Sequence, residues 1–179
     1  MRIRKWIKDF YYLRIKKITP REYLILHLRK TGMTIGENCY IISPQVETAE
    51  PYLVTIGNNV LISSNVMFTT HDASASHYIP GSSDIFGRIN IGDNCFIGIG
   101  AIILPGVTIA KDCIIGAGSV VTKSFLEPGM IIAGNPARII GSAENARIKN
   151  EKYALNVWNI PRTERKDYIL SHEAQFKGS

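Results

Sequence analysis

Two histidines, an aspartate and a run of small polar residues stand together in one segment: Thr69, Thr70, His71, Asp72, Ala73, Ser74, Ala75, Ser76 and His77, running on to Ser83. Histidine is the side chain whose ordinary pKa lies near neutrality, so an imidazole here can take a proton from a weak nucleophile such as a hydroxyl. Asp72 can orient the imidazole, meet a substrate or cap the loop backbone. Adjacent side chains often point apart, and the three roles stay open. A lone histidine in a polar segment is also commonly incidental, so the weight on His71 depends on what holds the segment. His27 and His172 lie elsewhere and are read as incidental.

The elements that hold it follow a period of six. Ile91, Ile97, Ile103, Ile109, Ile115 and Val121 recur at strict spacing. That period is neither 2 nor 3.6, so neither an ordinary strand nor a helix explains it, and a fixed repeat implies a repeat architecture. The second position is often Gly (Gly92, Gly98, Gly116). The fifth is usually small (Cys95, Ala101, Val107, Cys113, Ser119), with Phe125 as the exception. Six residues make a short strand and a tight turn, with Gly and Asn supplying unusual backbone angles. Three hexads make one coil, and stacked coils bury an aliphatic core that needs caps at both ends.

The same pattern runs from Ile35 and Ile41, and again from Ile56, Ile62 and Phe68. It breaks twice. A few extra residues lie around Glu47 to Tyr52, and the polar segment after Phe68 reads as a loop ejected from the coil near residues 69–87. Loops held on a rigid scaffold are where function concentrates.

Charge divides the chain. Residues 1–30 hold 10 Lys or Arg against Asp9 and Glu22, while the rest carries 11 basic and 13 acidic residues. Thr19-Pro20-Arg21-Glu22 predicts a capped helix start, Leu24, Ile25 and Leu28 its apolar stripe, and Gly32 its stop. An earlier helix is expected through Trp6, Phe10 and Leu13. This basic segment is read as a cap or subunit contact, with attachment to an anionic membrane surface as the sharper alternative. No recognition module accompanies the charge, so nucleic acid is not an expected partner. Cys39, Cys95 and Cys113 are odd in number and lack metal spacing. They read as reduced core thiols, which points to a cytoplasmic protein without a metal site. The expected organisation is a basic helical cap at 1–33, a repeat domain at 34–141, and a tail at 142–179 with a helix near 143–154.

Four stretches carry a resemblance: Asn-Cys-Phe-Ile-Gly at 94–98, Ile-Leu-Pro-Gly-Val-Thr-Ile at 103–109, Ile-Gly-Ala-Gly-Ser-Val-Val-Thr-Lys at 115–123 and Ala-Gly-Asn-Pro-Ala-Arg at 133–138. Together they resemble the hexapeptide-repeat acyltransferases, which include maltose, galactoside and serine acetyltransferases and the O-acetyltransferases of capsule and exopolysaccharide clusters. The resemblance implies an all-β solenoid, a left-handed parallel β-helix with short helical caps. It implies a homotrimer with active sites between subunits and an acetyl-CoA groove between coils. It makes His71 the catalytic base of direct acetyl transfer to a hydroxyl. Ile99 and Ala117 then offer backbone groups to the pantetheine arm, Thr122 and Lys123 meet the nucleotide end, and Arg138 meets phosphate. Asn65, Asp72, His77 and Phe96 are weaker candidates for the acceptor.

The sequence also departs from the family. Several of its members carry Trp where this chain has Phe96. The Asn and Asp that bind the acceptor in some sugar acetyltransferases fall at Ser43 and Pro51, so the resemblance to the maltose and galactoside enzymes does not extend to those ligands. The expected function is acetyl-CoA-dependent O-acetylation of a sugar or surface-polysaccharide precursor. The rivals are N-acetylation of a nucleotide-linked amino sugar, acetylation of an antibiotic, and a non-catalytic scaffold.

Overall fold

The computed structural model describes residues 18–42 and 48–178. The helix expected through Trp6, Phe10 and Leu13, most of the basic segment, and Ser43 lie outside the described residues. Helix α1 (Pro20–Lys30) starts on a capping box in which Thr19 and Glu22 satisfy each other's backbone N–H. It lays Leu28, fully buried, onto the first coil with Leu24 and Ile25 beside it. The helix ends at Thr31, and Gly32 follows at φ 107°.

Strands β1 (Thr34–Ile35), β2 (Tyr40–Ile41), β3 (Val54–Ile56), β4 (Leu61–Ile62) and β5 (Met67–Phe68) come before the polar segment. Next come β6 (His71–Asp72), β7 (Ile85–Phe86), β8 (Ile89–Ile91), β9 (Phe96–Ile97), β10 (Ile102–Ile103), β11 (Thr108–Ile109), β12 (Ile114–Ile115) and β13 (Val120–Val121). The chain visits three parallel sheets in turn. The first holds β1, β3, β8 and β11, and the third holds β5, β10 and β13. The second runs β2, β4, β9, β12 and closes with the hairpin β14 (Met130–Gly134) and β15 (Ala137–Ser142). Ile97 pairs with Ile115, and Ile103 with Val121, so eighteen residues return the chain to the same sheet one rung along.

Each hexad buries its first and fifth positions and exposes its corner. Ile97, Ile103, Ile115 and Val121 are fully buried, as are the small fifth residues Ala101, Cys113 and Ser119. The fourth position takes the left-handed backbone: Asn94 at φ 58°, Gly100 at 69°, Gly106 at 82°, Asp112 at 62° and Gly118 at 65°. Only Gly, Asn and Asp visit that region at low cost, which is why they recur there. The second position needs glycine for another reason. A Cβ on Gly98 would come within 2.6 Å of the Ala117 nitrogen on the next rung.

Phe125, the exception in the repeat, marks the end of the stack. It bridges to Ile109 in the first sheet after sixteen residues rather than eighteen, and its ring is buried. The register has slipped and the large ring fills the closing coil. Helix α2 (Ala143–Asn150) starts on the Ser142 hydroxyl, and a 3₁₀ turn (Glu151–Tyr153) follows it. Helix α3 (Arg162–Ser171) follows Trp158, whose ring meets the edge of Tyr40 at 6.3 Å. No helix among the described residues is long and apolar enough to cross a membrane.

Candidate active site

Both breaks in the period end where the chain returns to the first sheet, at β3 and at β8, and the residues they eject meet. Ile41 pairs with Ile62 across twenty-one residues, and Ile56 pairs with Ile91 across thirty-five, where an unbroken coil needs eighteen. The three extra residues of the first break carry Glu50. The seventeen extra residues of the second carry His71. His71 Nδ1 lies 2.8 Å from Glu50 Oε2. The Thr70 hydroxyl donates to the same carboxylate oxygen at 2.5 Å. Thr70 has one proton and has spent it there, so the Thr48 hydroxyl, 2.8 Å away, donates to Thr70. Thr70 is buried, Glu50 is 17% exposed and His71 is 37% exposed.

This arrangement fixes what the imidazole can do. A Glu50 carboxylate on Nδ1 selects the tautomer that carries its proton there and leaves the Nε2 lone pair as the base. The hydrogen bond that His71 donates to Glu50 is the main force holding the His71 pKa above its ordinary value; partial burial opposes it, and the charges of Glu50, Asp84 and Asp72 add to it. Glu50 is pushed the other way, first by the Thr70 hydroxyl and then by His71. The result is an oriented, partly exposed base beside solvent.

The segment expected as an irregular loop is organised. Strands β6 and β7 pair antiparallel, with His71 opposite Phe86 and Asp72 opposite Ile85. The Asp72 carboxylate accepts the Ser74 N–H at 2.9 Å and caps the loop, while Glu50, and not Asp72, takes the imidazole. His77 is exposed at the end of the 3₁₀ turn Ala73–His77, whose Ala75 is buried. Sequence reading registered the first break but passed over Glu50. The signal available was an acidic residue in an insertion stacked one coil away from the histidine.

The remaining candidates fall into separate groups. Thr122 and Lys123 follow β13 at the same edge of the third sheet where His71 follows β5. Two strand spacings, roughly 10 Å, separate those rungs. Ile99 and Ala117 lie at the opposite edge of that sheet on successive rungs, joined by the Gly118 N–H to the Ile99 carbonyl at 2.8 Å. Arg138 sits on β15 paired with Ala133, on the Ala117 side. Phe96 lies on the outer face of the second sheet between Leu61 and Ile114, so one copy of the chain does not bring it to His71. Asn65 occupies a coil corner at φ 58°, a structural reason for its identity.

Comparison with known proteins agrees with the repeat architecture. The bacterial transferase hexapeptide family (six repeats) matches residues 88–123. Protein CapG of Staphylococcus aureus is 43% identical over 148 residues, covering 80% of this chain and 86% of that protein. The galactoside O-acetyltransferase of Escherichia coli strain K12 is 31% identical over 152 residues, covering 74% of this chain and 73% of that protein. Among solved structures, a hexapeptide-repeat-containing acetyltransferase from Vibrio cholerae superposes with a TM-score of 0.55 at 22% identity, over 73% of this chain and 85% of that one. At that identity the likeness speaks for the fold alone. Three parallel sheets built on hexads and two relatives matched over most of their length lead to one assignment: the chain is an acyltransferase of the hexapeptide-repeat acetyltransferase family, in its sugar O-acetyltransferase branch.

Proposed function

We propose that this enzyme transfers acetyl from acetyl-CoA directly to a hydroxyl of a sugar or surface-polysaccharide precursor, with His71 as general base. The observation that carries the proposal is the 2.8 Å contact between His71 Nδ1 and Glu50 Oε2, partly buried where the two insertions meet. Acetyl-CoA supplies an activated thioester carbonyl. His71 Nε2 accepts the hydroxyl proton as the acceptor oxygen adds to that carbonyl, and Glu50 balances the imidazolium that forms. The imidazolium then returns its proton to the departing sulfur, which leaves an ester, a free thiol and a neutral His71. Backbone N–H groups at the corner are candidates to stabilise the developing oxyanion.

The donor set fits the co-substrate. Thr122, Lys123 and Arg138 are exposed and offer a hydroxyl and two cations to phosphate. Ile99 and Ala117 offer backbone at a corner whose glycines let rungs pack closely. These groups occupy two opposite edges of the third sheet. A left-handed β-helix assembled as a trimer turns one edge of each copy toward the other edge of its neighbour, completing each site from two chains. Release of CoA thiol from acetyl-CoA with a panel of sugars tests the reaction. A His71→Ala variant that kept turnover within a few-fold of the parent would end this mechanism.

A further inference from the structure

Antiparallel pairing puts the side chains of directly opposed residues on one face, so His71 and Phe86 look the same way from β6 and β7. Their ring centroids are 5.9 Å apart at 52°. Phe86 is 56% exposed beside the base, and Ile85 on the opposite face of the hairpin is 44% exposed. An aromatic ring left half open beside a reactive imidazole is unspent contact area. Among the described residues, the carboxylates of Glu50, Asp84 and Asp72 act on His71. Aromatic face and carboxylates together suit one ligand chemistry. A pyranose presents a face of C–H bonds to an aromatic ring and hydroxyls at its rim to acidic acceptors, and it loses affinity when it carries negative charge.

We infer that Phe86 is the platform on which the acceptor ring lies over His71, and that the acceptor is a neutral or amino-bearing pyranose rather than a uronate. The inference rests on the acetyl-transfer reading and narrows its substrate. The platform lays the ring flat so that one hydroxyl reaches Nε2. Asp84, on the strand approach to Phe86, repels a ring carboxylate.

The test uses three matched probes on the full chain by saturation-transfer NMR: methyl glucopyranoside, its 6-carboxylate counterpart and its 2-amino counterpart. The neutral and amino probes bind, and the carboxylate binds about tenfold or more weakly. Asp84→Asn narrows that gap. Phe86→Leu keeps apolar bulk on the hairpin but removes the ring, and it weakens the neutral probe by about five- to tenfold. Phe86→Trp restores binding, and circular dichroism reads the fold of each variant. The inference is overturned if the carboxylate probe binds as well as the neutral one. It is also overturned if Phe86→Leu binds like the parent, or if that variant changes the sedimentation of the assembly while sugar binding stays intact. Sugar binding that depends on Phe86 without any thiol release ends the acetyl-transfer reading and leaves the platform standing. Thiol release with an unchanged acceptor KM in Phe86→Leu does the reverse.

Discussion

Glu50 and His71 stand twenty-one positions apart in sequence and 2.8 Å apart in space, and neither belongs to the regular repeat. Each lies in an insertion that ends where a different coil returns to the first sheet. The carboxylate is in turn held by Thr70 and, through it, by Thr48. The pair therefore acts as a unit, and breaking it should damage turnover more than binding. Glu50→Ala and Glu50→Gln are each expected to lower kcat by about 10- to 100-fold, because the base loses both its orientation and the charge that stabilises its protonated form. The KM for acetyl-CoA should move little. A large rise in that KM with unchanged kcat would show that Glu50 shapes the donor site instead.

The same contact sets the pH dependence. Glu50 raises the His71 pKa, and only the deprotonated imidazole is a base. Activity should rise through a value above the ordinary histidine 6.5, and Glu50→Gln should move that limb back toward lower pH. The sign for stability differs. A raised His71 contributes stability that is complete below 6.5 and lost as pH rises through its folded value, while a lowered Glu50 contributes above 4.5 and loses it as pH falls. The pair should stabilise most between about pH 4.5 and 6.5, and Tm differences between parent and Glu50→Gln should be widest there. A Tm gap that is flat across that window and beyond would contradict the linkage.

The hexad period made the three sheets legible because every Ile or Val that opens a hexad meets the same physical demand, an inward position on a rung. The helix start at Thr19 was legible because a capping box is local chemistry. Glu50 was less so: the insertion offers two acids, Glu47 and Glu50, and which one meets His71 depends on how two insertions of different length stack. Asp72 does not orient the imidazole, for the opposite reason. It is adjacent in sequence, yet its own backbone two residues on is the nearer donor. Phe125 shows a third limit: the end of a repeat is set by what fills the last coil, which needs the neighbouring rungs to be in place.

The coil corners give a stability prediction. Asn94 holds φ at 58°, donates from Nδ2 to Asp112 at 2.8 Å, and accepts from Asn59 at 3.0 Å. Asn94→Ala should cost about 1–3 kcal/mol, combining the left-handed strain of a residue with a Cβ and the loss of two exposed hydrogen bonds. Asn94→Gly relieves the strain and should cost less. Urea unfolding of the two variants separates the terms, and equal losses would mean that backbone conformation is not what selects Asn at this corner.

The core gives a larger effect. Ile103 is fully buried, lies between Phe68 and Val121 in the third sheet, and sits on the rung between the edge of His71 and that of Lys123. Ile103→Ala should lower stability by about 2–5 kcal/mol through lost burial and a cavity the rigid coil cannot close. Because the stack transmits position from rung to rung, kcat should fall at temperatures where the variant is still folded. Unchanged kcat in folded Ile103→Ala would show that the corner is positioned by its own hydrogen bonds alone.

Lys123 discriminates a ligand contact from a solvated charge. It is exposed, with its ammonium 5.7 Å from the Phe125 ring, so its position is partly fixed before any ligand arrives. Packing on a ring orients a cation without neutralising it. If the ammonium meets the nucleotide phosphates of the donor, Lys123→Met should raise the KM for acetyl-CoA by about five- to tenfold, a single charge-assisted contact's worth. The same variant should leave the KM for acetyl-pantetheine, which lacks the nucleotide, where it was. The effect should shrink in high salt, since an exposed charge is screened. If both donors lost affinity equally, the residue would be acting through the fold of the closing coil. If neither did, its charge would belong to the solvent.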